Sequence, residues 1–266
     1  MWTTRYGPDV TARVRTGEPT HPGAASTVLR GLLTGPDREA RVLGSHRTCV
    51  YLQVGSEVLV IESADALGLP CAVRLGIDSG SAALQGVRRT DPATVGRGVL
   101  AVGELNVRVA RWWAPRRPRP GIDPQRLPAL ALSLAGHPAP VPIDAPVTDL
   151  VGLGPGLTPA GDDVLAGMLV ALHHADARRR LAAQILPLAA QRTTALSTTL
   201  LNHAAEGYTL PALIDLADSV AGHAPAGALP DVVARLMEVG HSSGTAMAWG
   251  LLRGARVATA LRAQAA

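Results

Sequence analysis

Lysine and phenylalanine are both absent from this 266-residue chain, so all 25 basic side chains are arginines. Losing two residue types wholesale points to a coding bias toward GC-rich codons. The net charge of +4 is therefore weak evidence for a polyanionic partner. Cysteine is nearly absent too. Cys49 and Cys71 match no metal-binding spacing and cannot build a disulfide framework, so both read as small core residues. No run of about 18 apolar residues occurs, which excludes a spanning helix. The opening MWTTRYGPDVTARVRTGEP has no apolar signal core, and a cytoplasmic protein is expected. Internal repeats are missing as well. What remains is globular, with 47% hydrophobic and 17% charged residues.

The stretch from Val151 to His173, VGLGPGLTPAGDDVLAGMLVALH, organises the second half. Gly152, Gly154, Pro155, Gly156, Pro159 and Gly161 crowd its start, which forbids regular structure there. Val164, Leu165, Met168, Leu169 and Leu172 follow with helical spacing. Thr158 is expected to cap this helix, with Pro159 at its first position and Asp162 and Asp163 in its first turn. A glycine-rich loop opening a helix presents backbone N–H groups to an anion, here through Gly154 and Gly156. It is neither a Walker A loop nor a dinucleotide fingerprint. The Asp pair either complements the helix dipole, at about 0.3–1 kcal/mol each, or holds a cation against an anion, or accepts hydrogen bonds from an amide or guanidinium. The density of glycine and proline beside it favours a site.

Upstream, Arg47 to Val54, Glu57 to Ile61, Cys71 to Leu75, Val99 to Val102 and Glu104 to Trp113 read as strands, the first two joined by a Gly55-Ser56 turn. Residues 1–25 read as irregular with one short strand or arm, and Ser26 as the cap of a short helix to Leu33. Three segments result: a β-rich domain over 1–113, in the form of a partly closed barrel, a Pro/Arg-rich linker with a short helix over 114–147, and a helical domain over 148–266. The fold class is α+β. Pro187 marks a kink or break in the helix after Ala175.

Two more stretches carry polar groups. Thr193 and Ser197 are four apart and share a helix face with Leu200, Leu201 and Ala204, either bonding their own helix or flooring a ligand site. Gly240-His241-Ser242-Ser243-Gly244-Thr245 again opens a helix, with Ser243 or Thr245 able to cap. His241 is a satisfied loop histidine or a proton donor beside a bound anion. No nucleophile elbow accompanies it. Asp162, Asp163, His173, His174 and His241 lack zinc spacing, so no metal site and no cofactor is expected, with magnesium on the Asp pair the minority reading. The arginine–tryptophan stretch from Arg108 to Arg119 has the composition of a nucleic-acid patch but no accompanying fold signature, and nucleic acid is not the expected partner.

GLGPGLTPAGDDVLAG (152–167), the Thr193/Ser197 helix with Ala204 and Gly207, and GHSSGT-x-x-x-x-G (240–250) together resemble the AllH-type family. That family was long a domain of unknown function and includes a subunit associated with oxamate carbamoyltransferase in allantoin degradation. The resemblance covers about residues 150–255. Two positions depart from the family pattern as it is expected: Ala160 stands in place of serine and Ala246 in place of aspartate. The resemblance implies carbamoyl transfer, with oxalurate and phosphate exchanging for oxamate and carbamoyl phosphate in an oligomer with other transferase subunits. In the leading reading of the residues themselves, Asp162, Asp163 and His241 are expected to be catalytic. Gly154, Gly156, Thr158, Thr193, Ser197, Ser242, Ser243 and Thr245 would bind the substrate. The rival readings are a non-catalytic anion-binding or scaffold subunit and a magnesium-dependent phosphate or nucleotide enzyme.

Overall fold

The computed structural model of the protein describes residues 20–172 and 175–265. The expected arm before Thr20, and both His173 and His174, lie outside the described residues. The first half forms eight strands: β1 (Thr20–Ser26), β2 (Arg38–Ser45), β3 (Cys49–Val54), β4 (Glu57–Glu62), β5 (Ala72–Leu75), β6 (Ala93–Gly96), β7 (Val99–Val102) and β8 (Leu105–Trp113). They close completely in the order β1-β5-β4-β3-β2-β6-β7-β8. Full closure leaves no sheet edge to protect. The seam is the parallel pair β1–β8, and β4–β5 is the other parallel pair. Because β4 and β5 run the same way, the chain between them must cross over the barrel end. That crossover, residues 63–71, is what later meets the helices. Ser26 accepts from Val28 N and starts a short 3-10 turn, followed by α1 (Arg30–Thr34). A second short helix, α2 (Ala82–Gln85), lies between β5 and β6.

Cys49 and Cys71 are free and buried in the barrel. Trp113 ends β8 and donates from Nε1 to Ala24 O at 3.1 Å, which pins the seam. The arginines that follow lie against the helical half. Arg116 bonds Asp215 at 3.0 Å, and the Arg119 backbone N–H donates to Asp218 at 2.7 Å.

The second half contains α3 (Leu127–Leu134), α4 (Val147–Leu150), α5 (Ala160–Ala171), α6 (Ala175–Arg192), α7 (Ala195–Ala205), α8 (Pro211–Val220), α9 (Leu229–Met237) and α10 (Ser243–Ala265). α6 runs through Pro187 without ending, contrary to the expected break. All twelve residues of α5 are buried, so the helix is the axis of the bundle rather than an amphipathic surface helix. It lies almost backbone to backbone against α10. A Cβ added at Gly167 would meet Met247 O at 2.1 Å, and one at Gly250 would meet Val164 O at 2.0 Å. Only glycine permits that approach. The buried apolar side chains of barrel and bundle form one continuous cluster. Among the described residues no helix is long and apolar enough to cross a membrane.

Candidate functional site

The loop from Gly152 to Pro159 delivers the Asp pair into the first turn of α5. Its geometry differs from the expectation by one residue. Pro159 is the N-cap, with no side-chain cap, and α5 starts at Ala160. Thr158 is thereby released from capping, and its Oγ1 lies 3.2 Å from Ser243 Oγ at the start of α10.

The two carboxylates have different partners. Asp162 accepts from Gly152 N at 2.8 Å and from the hydroxyl of Thr193. It therefore ties the glycine loop to the α6–α7 junction. Gly152 has a positive φ of 74°, and a Cβ there would meet Arg192 O at 2.2 Å, so glycine is required. Thr193 does not share a helix face with Ser197, because α6 ends at Arg192 and Thr194 caps α7 by accepting from Ser197 N. The Thr193 side chain turns to Asp162 instead of to its own helix.

Asp163 is 3% exposed, and its Oδ2 has no hydrogen-bond partner. Burial pushes its pKa up from 3.8 to about 7, helped by neighbouring Asp162 and opposed by the hydroxyls of Ser243 and Thr158. A buried carboxyl oxygen left without a donor is costly unless something binds it. Both aspartates line a small cavity of about 30 Å³ whose other polar groups are Ser197, Tyr208 and Thr209. Apolar residues complete it, with Leu69 and Pro70 from the barrel crossover and Met247 from α10. About 30 Å³ is room for roughly two waters. By its volume the cavity admits only a small group.

The structure thus gathers Thr158, Asp162, Asp163, Thr193, Ser197 and Ser243. Other expected residues lie elsewhere. Gly154 and Gly156 sit in the exposed part of the loop, and His241 is exposed and outside the cavity lining. Ser242 is half-buried before α10, and Thr245 donates to Met237 Sδ at 3.2 Å. Several other N–H groups around these two helix starts are engaged within the chain. Gly161 N donates to Leu153 O, the Asp162 and Asp163 N–H groups to Pro159 O, and Gly244 N to Val239 O. Both departures from the family pattern are buried, Ala246 completely. Among the described residues no group of three metal-ligating side chains occurs.

Several contributors were missed in the sequence. Leu69 and Pro70 lie about a hundred residues before the motif and carry no polar signal. Tyr208 and Thr209 follow Gly207, which the family pattern included. Tyr208 also carries the guanidinium of Arg117 over its ring, 4.2 Å from the centroid.

No curated protein and no solved structure matches the chain. The model of one family does match, over residues 150–255: the oxamate carbamoyltransferase subunit AllH. That span holds both aspartates, the α6–α7 junction and the start of α10, and leaves the barrel outside. Over that span the chain is similar to the AllH family.

Proposed function

We propose that the protein is a subunit of a carbamoyltransferase and that Asp163 receives the amide of its substrate. The carrying observation is the buried Asp163 carboxyl, which has one unpartnered oxygen and belongs to a residue lining a small cavity. Asp162 has both oxygens engaged within the chain, which leaves Asp163 as the group for chemistry. In carbamoyl transfer to an amide such as oxamate, the amide nitrogen attacks the carbamoyl carbon of carbamoyl phosphate. The new C–N bond forms as the C–O bond to phosphate breaks, and the nitrogen gives up a proton. A carboxylate with a pKa near 7 is suited to accept that proton, since general bases work best when poised close to the working pH. Thr158 and Ser243 orient the carboxyl. The phosphate end would lie outside the cavity, against the amides of Gly154, Gly156 and Ser243, and Ser242 and His241 would act at that outer end.

Carbamoyl phosphate formed from oxalurate and phosphate is the product to assay, in a complex of the chain with its partner subunits. Asp163→Asn should lower the rate by about 100-fold or more. Turnover at the wild-type rate would remove Asp163 from the chemistry.

The size of the cavity also favours a second reading, in which this chain binds only one end of the substrate and a partner completes the site. Oxamate binding without turnover by the isolated chain, and turnover on adding partner subunits, would support it.

A further inference from the structure

The barrel has no assigned role, yet one of its strands bonds to two segments that also line the Asp163 cavity, the turn at Leu69 and helix α7. Near the start of β4, the Val58 N–H donates to Oγ1 of Thr199 at 3.0 Å, across the barrel–bundle junction. Thr199 lies two residues after Ser197 on α7, and its hydroxyl in turn donates to Ala195 O at 2.9 Å. At the end of β4, the two carboxyl oxygens of Glu62 accept from Gly68 N and Leu69 N, each at 3.1 Å. Leu69 and Pro70 form the barrel's side of the cavity, and Ser197 lies on its α7 side. Both anchors are buried, with Glu62 1% and Thr199 6% exposed. On β4, Val58 and Glu62 are four residues apart, or about 13 Å along an extended strand. A carboxylate buried this deeply is retained at a cost, and the donors it faces are the turn that roofs the cavity.

We propose that β4 acts as a spacer that sets the width of the cavity, with Glu62 and Thr199 as positioning residues that fix the Leu69–Pro70 roof and the Ser197 wall. The proposal rests on the reading of the Asp163 cavity as the substrate site. It makes the barrel part of the site without supplying any reacting group. It also assigns a role to residues outside the segment that the family model matches.

The test is oxamate binding by calorimetry with the full chain, comparing wild type, Glu62→Leu, Glu62→Gln, Thr199→Val and Asp163→Asn. Glu62→Leu removes both acceptors and should weaken binding by about tenfold or more. Glu62→Gln keeps the shape of the side chain and one carbonyl acceptor, and should recover most of that loss. Thr199→Val preserves shape, removes the acceptor and should weaken binding several-fold. Wild-type affinity in Glu62→Leu and Thr199→Val, with binding lost in Asp163→Asn, overturns the spacer and leaves the cavity reading standing. If Asp163→Asn binds like wild type, or wild type does not bind, the cavity reading fails instead. Backbone amide exchange then judges the spacer: faster exchange at Gly68 and Leu69 in Glu62→Leu, spreading to the α7 amides around Thr199, sustains it. Unchanged exchange at these positions overturns it.

Discussion

Two glycine-bounded polar loops open helices in the second half of this chain, Gly152–Pro159 before α5 and Gly240–Ser242 before α10. Read locally they are alike, and each suggests an anion held by free backbone N–H groups. In the folded protein they diverge. The first carries its carboxylates into the centre of the bundle, because α5 is buried on every side. The second stays at the surface with His241 exposed and contributes the hydroxyl of Ser243 to its counterpart. Local pattern places a loop at a helix start; packing decides which loop becomes a site. Burial is also what raises the Asp163 pKa, so the chemical difference between the loops follows from the packing difference.

The strongest way to break this arrangement is to separate α5 from α10. Gly250→Val forces side-chain atoms into the α5 backbone and should cost more than ~3 kcal/mol, with loss of folded protein by thermal melt. Next comes Asp163→Asn, whose effect on stability depends on pH. Burial keeps Asp163 protonated up to about 7 instead of 3.8. The stability this lends is full below about 3.8 and is lost as pH rises through about 7. Asn does not ionise, so at pH 8 the variant should melt higher than wild type, by an amount worth up to ~4 kcal/mol. A variant that melts lower at pH 8 than at pH 4 to the same degree as wild type would contradict the assignment.

Asp162→Asn sharpens the contrast within the pair. It weakens the bonds to Gly152 N and Thr193 and should destabilise by ~1–3 kcal/mol, with a smaller effect on turnover than Asp163→Asn. The smallest effect is expected at the second loop. His241→Ala should leave stability within about 0.5 kcal/mol and reduce turnover only a few-fold. A loss as large as that of Asp163→Asn would mean that the two loops contribute equally.

Much of this was legible in the sequence where local chemistry dictates the outcome. The runs that became β3, β4, β5, β7 and β8 alternate or are β-branched, and Ser26 caps as its residue type favours. β2 and β6 were missed: β2 mixes exposed and half-buried residues without alternation and β6 is only four residues long, so neither carries a clear period-two signal. Closure of the barrel depends on the pairing of β1 with β8, a contact between positions nearly ninety residues apart that no local pattern encodes. The site was half legible. Asp162, Asp163 and Ser243 stand out by type and spacing, whereas the division of labour between the aspartates depends on Thr193 leaving its helix at the α6–α7 break. Leu69 and Pro70 reach the cavity only because two parallel neighbours force a crossover above the barrel end.

The central claim is that Asp163 is the buried acid that meets the substrate amide. It is tested most directly by following the Asp163 side-chain carboxyl carbon by NMR through a pH titration, with and without oxamate. The account predicts a midpoint near 7 in the free protein and a displaced resonance and midpoint when oxamate binds. An ordinary carboxyl titration near 4, unchanged by oxamate, would contradict it.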